Sequence, residues 1–320
     1  MTLHSLDELC KHLKASGMPP RIAVALGVFD GVHLGHQAIL ARLTRLASET
    51  ASVPVALFFS PHPRELLCPP GPKHLTSLNY KSMLLRQYGA EQVVAMDFTR
   101  GIASMSASDF LERHFCTGGL DVSGFCVGEN WRFGKGNSAG VDYLAEWGAH
   151  HGKRVEVVPF VEYEGGPVSS TRLRALVENG ELGMVREMLG RSFAVSGIVS
   201  HGNGVGKKLD CATANIVDEM HVLPPSGVYA AMASWNGRVE AGIAYVGTAP
   251  TIRADATVPW VELHLLDCNE NLYDQEVTVN FLKFIRTDRR FASQDELARQ
   301  IGLDIAECRG ILREEAISGH

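Results

Sequence analysis

The sequence predicts two folds in series: a doubly wound parallel sheet covered by helices, then a small β-barrel that ends in a long helix. Three observations carry this. The first half alternates short apolar runs with stretches of helical spacing, the order of a parallel α/β sheet. The pattern changes near residue 190, after which strand-like runs dominate. Within them, Asn236-Gly237 separates two apolar runs, the strongest short signal for a hairpin with a type I′ turn. A chain of 320 residues suits two domains, residues 1–190 and 191–320.

In order, Ile22 to Leu26 reads as a buried strand ending at Gly27. A helix follows over His36 to Ala47, with Ile39, Leu40, Leu43 and Leu46 on one face. Strands are expected over Val53 to Phe59, Gln92 to Phe98, Val122 to Val127 and Arg154 to Phe160. Helices are expected over Tyr80 to Gln87, Ala107 to Phe115 and Tyr143 to His150. Two short helices, near Thr171 to Val177 and Leu182 to Leu189, close the first domain. In the second, Gly227 to Trp235, Arg238 to Val246, Val261 to Leu266 and Val277 to Phe284 read as strands, and Glu296 to Ile317 as the one long helix.

Composition narrows the function classes. With 45% apolar and 21% charged residues the chain is an ordinary globular protein. A net charge of -6 argues against a nucleic-acid partner, which needs a basic face. No apolar run is long enough to span a bilayer, so no membrane partner is expected. The seven cysteines form no CxxC pair and are odd in number, which fits reduced thiols in the cytoplasm rather than a metal cluster. The oligomeric state stays open.

The sharpest motif is Gly27-Val-Phe-Asp-Gly-Val-His-Leu-Gly-His36, between a strand and a helix. That position aims backbone N–H groups and a helix dipole at the loop, which suits a phosphate. Gly31 and Gly35 admit close approach of a ligand. His33 and His36, three apart, can donate hydrogen bonds to a pyrophosphate as charge develops. No third ligand makes them a zinc pair. Val168-Ser-Ser-Thr-Arg-Leu-Arg174 is the second motif: Ser169, Ser170 and Thr171 offer hydroxyls and a helix cap, and Arg174 lies one turn inside.

In the second half, Gly197 to Leu209 is glycine-rich and basic but lacks the Walker A frame. Thr213 and Asn215 alternate along an extended segment, and such oxygens suit Mg²⁺. Glu262, among apolar neighbours on a strand, suits proton abstraction from a primary hydroxyl.

With these strings, and with Phe59-Ser-Pro-His-Pro-Arg64 and Val127-Gly-Glu-Asn-Trp-Arg-Phe-Gly-Lys135, the chain resembles the prokaryotic bifunctional riboflavin kinase/FMN adenylyltransferases through nearly its whole length. The resemblance implies an HxGH nucleotidyltransferase domain and a riboflavin kinase barrel, with ATP, riboflavin and FMN as substrates and Mg²⁺ as cofactor. In the first domain it implies that His33, His36, Ser170, Thr171 and Arg174 hold ATP phosphates, that Gly27 and Phe29 border the adenine nucleotide, and that His62, Asn130 and Phe133 line the flavin. The FMN phosphate would attack the α-phosphorus of ATP and pyrophosphate would leave. In the second it implies that Gly202, Gly204, Gly206 and Lys207 cover the ATP phosphates, that Thr213 and Asn215 hold Mg²⁺, that Glu262 is the base, and that Arg286 lies on the flavin side.

The second half departs from the family pattern. Asp210-Cys-Ala stands where Gly-Phe-Pro is usual, and Tyr245 where Asn is common. Asp210 adds negative charge beside the phosphate loop, which opposes ATP unless Lys207, Lys208 or Mg²⁺ offsets it. Three alternatives stay open: adenylyl transfer alone with a degenerate kinase module, a non-catalytic flavin carrier or regulator, and a nucleotidyltransferase for another phosphate acceptor.

Overall fold

In the computed structural model the described residues are 2–200, 213–217, 220–250, 257–268, 270, 272–289 and 291–317. The chain divides into two compact units, Met1–Pro72 with Leu78–Ser170, and Lys73–Ser77 with Thr171–His320. The division therefore falls about a helical hairpin earlier than residue 190.

The first unit is built on a parallel sheet of β1 (Arg21–Leu26), β2 (Val53–Ser60), β3 (Gln92–Asp97), β4 (Asp121–Gly128) and β5 (Arg154–Val158). Their order is β3-β2-β1-β4-β5, so the chain starts in the middle and winds outward twice, the doubly wound arrangement. β1 is buried from Ile22 onward, as expected of a central parallel strand covered on both faces. Ile22, Val24 and Leu26 join Val53, Val55 and Leu57 in one core cluster. That cluster receives Leu6, Leu9 and Leu13 of α1 (Leu6–Ala15), Phe110, Leu111 and Phe115 of α6 (Ala107–Phe115), and Leu144 and Trp147 of α7 (Val141–His150). The intervening Ala23 and Ala25 are equally buried. Their small side chains admit α2 (Leu34–Glu49), which packs on β1, β2, β4 and β5 through Ile39, Leu40 and Leu43.

The remaining pieces of this unit are α3 (Pro63–Leu67), α4 (Leu78–Gln87), α5 (Arg100–Ala103) and a two-stranded ribbon of β6 (Glu162–Tyr163) and β7 (Gly166–Pro167). Helix α8 (Ser170–Glu178) opens at its end.

In the second unit, β8 (Ala194–Ser200), β9 (Thr213–Val217), β10 (Gly227–Trp235), β11 (Arg238–Pro250), β12 (Thr257–Leu265) and β13 (Glu276–Thr287) close into a barrel in the order β10-β11-β12-β9-β8-β13. The hairpin β10–β11 turns at Asn236 (φ 47°) and Gly237 (φ 78°). Both angles are positive, as a type I′ turn requires. Tyr229, Ala244, Leu263 and Phe281 are buried in alternation with their neighbours, and the Tyr229 hydroxyl donates to Pro225 O at 2.5 Å. The other face carries Val228, Ala230 and Ile243, packed on Cys308 and Ile311 of α10 (Gln294–Ile317). Helix α9 (Leu182–Leu189) contacts β13, and its Arg186 pairs with Glu315 of α10 at 2.9 Å. These contacts place α8 and α9 with the barrel. The segment Lys73–Ser77 joins them, with His74 N donating to Met220 O and Val222 N to His74 O.

Candidate active sites

The loop between β1 and α2 is shaped by unusual backbone. Gly31 takes φ 82°, and the non-glycine residues Phe29 and Val32 take φ 53° and 39°. Such angles cost free energy and persist only where the surroundings enforce them. Here the enforcement is burial: Phe29, Asp30 and Val32 are fully enclosed. The Phe29 ring lies against Gly27, where a Cβ would stand 2.9 Å from its Cζ. Gly27 is therefore a space requirement of the loop.

His33 caps α2, its Nδ1 accepting the His36 backbone N–H at 3.4 Å. An accepting Nδ1 carries no proton, so neutral His33 holds its proton on Nε2. The His33 and His36 rings stack at 3.6 Å between centroids and 19° between planes. Phe29 meets His36 edge-on at 5.2 Å. A Cβ on Gly35 would come 3.2 Å from His33 Nδ1 and 3.7 Å from Val168 O. The end of the unit thus lies against this loop, and Ser170 Oγ donates to Asp30 O at 2.8 Å. Val168 and Ser170, which begin the hydroxyl motif, thus meet the loop of the histidine motif within the first unit.

One residue of this site escaped the reading of the sequence. Lys81 of α4 is 7% exposed, with Nζ 3.3 Å from Val28 O and 4.8 Å from the centroid of the Phe58 ring. A lysine in an amphipathic helix ordinarily reads as a solvated face, and nothing local marks this one as buried under the loop.

The residues expected on the flavin side sit at the ends of β2 and β4. His62 caps α3: its Nδ1 accepts from Arg64 N at 3.0 Å and its own N–H donates to Glu65 Oε1 at 3.0 Å. Asn130 is exposed in the turn after β4, its Oδ1 3.5 Å from where Gly128 would carry a Cβ. Phe133 is buried beneath Trp131, their rings stacked at 4.4 Å. Trp131 is half-buried and so the more accessible of the two rings. Thr171 and Arg174 belong to the second unit, where Arg174 Nε donates to Lys73 O at 2.6 Å.

In the barrel, β12 sets Glu262 opposite Asn215 of β9 on one side and Tyr245 of β11 on the other. Glu262 is half-buried, while its neighbours Val261 and Leu263 point into the barrel. Thr213 occupies the position opposite His264. Gly202, Gly204, Gly206, Lys207 and the stretch Asp210-Cys211-Ala212 lie outside the described residues. Arg286 is committed to Asp304 of α10, with Nε 2.9 Å from Oδ1 and Nη2 2.8 Å from Oδ2, and Asp304 is 5% exposed by side chain. This fork-to-fork pair ties β13 to α10.

Comparison with known proteins gives one answer for both halves. The FAD synthetase family matches residues 16–172 and the riboflavin kinase family residues 189–312. The bifunctional riboflavin kinase/FMN adenylyltransferase of Pseudomonas fluorescens is 34% identical over 91% of this chain and 93% of its own length. The protein so named in Escherichia coli (strain K12) is 33% identical over 88% and 90%. A crystal structure described as a macrolide-efflux protein from Streptococcus pneumoniae superposes with a TM-score of 0.78 at 27% identity, covering 97% of this chain and 98% of that one. Among the described residues of this chain, no helix is long and apolar enough to cross a membrane.

Proposed function

The chain belongs to the family of bifunctional riboflavin kinase/FMN adenylyltransferases, and we propose that its two halves divide the two steps of FAD synthesis between the sites described above. It is an enzyme of FAD biosynthesis: riboflavin is phosphorylated by ATP to FMN, and FMN is adenylylated by a second ATP to FAD and pyrophosphate. We assign adenylyl transfer to residues 1–190 and phosphorylation to residues 191–320.

The observation that carries the first assignment is the hydrogen bond between Ser170 Oγ and Asp30 O, which ties Ser170 to the loop that carries the stacked histidines. In our reading the Nε2–H of His33, the His36 ring, the Ser170 and Thr171 hydroxyls and Arg174 hold the phosphates of ATP. Gly27, Phe29 and Gly35 shape the loop beside its nucleoside. His62, Asn130 and the Trp131–Phe133 stack form the flavin side. The FMN phosphate attacks the α-phosphorus while these donors hold the charge gathering on the departing pyrophosphate. Electrostatic positioning of this kind needs no covalent protein intermediate.

In the barrel, Glu262 takes the proton from the acceptor's primary hydroxyl as its oxygen attacks the γ-phosphorus of ATP. Gly202, Gly204, Gly206 and Lys207 cover that ATP. Thr213 and Asn215 are oxygen donors at alternate positions of β9, a set whose chemistry fits a hard cation. Thr213 and Asn215 would hold Mg²⁺, which would supply positive charge to offset that on the transferring phosphoryl group. The pairing of Arg286 with Asp304 supports a role in fixing the flavin side of the barrel through α10. We place the enzyme in the cytoplasm, since the six described cysteines are all free thiols.

The direct test gives the purified protein ATP, Mg²⁺ and either riboflavin or FMN, and separates the flavins by chromatography. Riboflavin should yield both FMN and FAD. FAD from added FMN alone would leave the barrel as a degenerate module.

A further inference from the structure

The barrel aligns one residue from each of five strands at the level of Glu262: Asn215, Glu262, Tyr245, Val228 and Arg286. Directly opposed residues of antiparallel strands share a face. Val228 on this face is buried against Cys308 and Ile311 of α10, and Tyr245 packs on the same cluster. Tyr245 therefore stands between the apolar floor under α10 and the carboxylate of Glu262.

The lie of its ring is fixed. The ring lies back across Gly247, where a Cβ would stand 2.5 Å from Cε1 and 2.9 Å from Oη. Only glycine at 247 leaves this room. Trp260 meets the ring edge-on at 5.9 Å between centroids. Burial first, then the charges of Asp288 and Glu262, push the phenol's pKa up, so its proton stays on Oη. A protonated phenol oxygen both donates and accepts a hydrogen bond.

We propose that Tyr245 Oη hydrogen-bonds a secondary hydroxyl on the polyol chain of the acceptor substrate, and so sets the terminal hydroxyl against Glu262. The inference rests on the kinase reading of this site. Tyr245 stands where Asn is common in the family pattern, and an asparagine would present its polar atoms on a shorter stem. Tyr245 is a positioning residue: it touches the part of the substrate that does not react.

The test compares riboflavin with a flavin bearing a 5-hydroxypentyl chain on N10, which keeps the ring and the terminal hydroxyl and lacks the secondary hydroxyls. Tyr245→Phe removes the hydroxyl and keeps the ring. It should raise KM for riboflavin about five- to tenfold, the range of one net hydrogen bond, with kcat within about twofold. The Ki of the hydroxypentyl flavin against riboflavin phosphorylation should be the same in both proteins. Adenylylation of added FMN monitors the intact protein and should not change. Equal weakening of both flavins, or an unchanged KM for riboflavin, overturns the proposal. Absence of FMN formation from riboflavin by the unsubstituted protein is a different result: it removes the kinase reading, and this inference with it.

Discussion

The imidazoles of His33 and His36 lie 3.6 Å apart and nearly parallel, with His33 Nδ1 occupied by the backbone N–H of His36. Stacking holds the two rings in one orientation, so in the proposed assignment a phosphate that meets one ring lies beside the other, and adenylyl transfer is expected to rest on His36 as much as on His33.

His36→Ala should thus lower FAD formation from FMN by at least about a hundredfold, the loss typical when one transition-state donor is removed. FMN formation from riboflavin should stay within about twofold. The two steps are read separately by supplying FMN or riboflavin. Equal loss of both would contradict two separate sites.

Ser170→Ala breaks the bond to Asp30 O. It leaves a fully buried residue's carbonyl one partner poorer, a cost of about 1 kcal/mol in stability. The larger effect should be on KM for ATP in adenylyl transfer, since the hydroxyl motif would no longer be anchored to the loop. Ser170→Thr keeps an oxygen and should recover part of the loss. Unchanged adenylylation in the alanine variant would leave Ser170 outside the site.

The two motifs were legible because their chemistry is local. Glycines and histidines at fixed spacing between a strand and a helix mark a candidate phosphate loop without any knowledge of packing, and the loop does lie between β1 and α2. Asn236-Gly237 announces its hairpin in the same way. Lys81 was not legible, because its burial depends on where α4 lies relative to β1. Phe133 and Trp131 could not be ranked, since both are aromatic and only the fold shows which covers the other. Helices α8 and α9 carry the spacing of the α/β half, yet α9 meets β13 and α10, and contacts of that range leave no mark on a neighbouring sequence. α1 did leave one that was passed over: Ser5, whose hydroxyl accepts from Glu8 N, precedes Leu6, Leu9, Cys10 and Leu13 at helical spacing.

Arg286→Ala would strand the buried carboxylate of Asp304, which also accepts from Gln300 Nε2 at 2.9 Å. Removing one partner of a buried pair costs about 3–5 kcal/mol. The melting transition of the barrel should fall accordingly, and FMN formation with it, while adenylylation of added FMN survives at temperatures below the new transition. Arg286→Ala with Asp304→Leu removes both charges and should recover much of the stability without recovering a flavin contact. Restored FMN formation in the double variant would show that Arg286 acts through the fold alone.

Alkaline pH offers a test confined to the first unit. Cys126 on β4 is fully buried, and burial pushes its thiol up to about 12 from an ordinary value of 9.0. The neutral thiol is the form that the folded state accommodates. Below the unfolded value both states keep the proton, and the contribution to stability is complete. Above it the unfolded chain ionises and the folded one does not, so stability falls as pH rises from about 9 toward 12. The slope from this one residue is about 1.4 kcal/mol per pH unit. Urea midpoints measured at pH 8 and 10.5 should differ accordingly, and Cys126→Ala should flatten the difference for the transition of the first unit. The same chemistry orders the thiols. In the native protein exposed Cys68 should react with a thiol reagent first, with Cys116 slower because burial and Glu112 raise its pKa. Cys10, Cys126 and Cys308 should react only on unfolding, and early labelling of Cys126 would show that β4 opens locally.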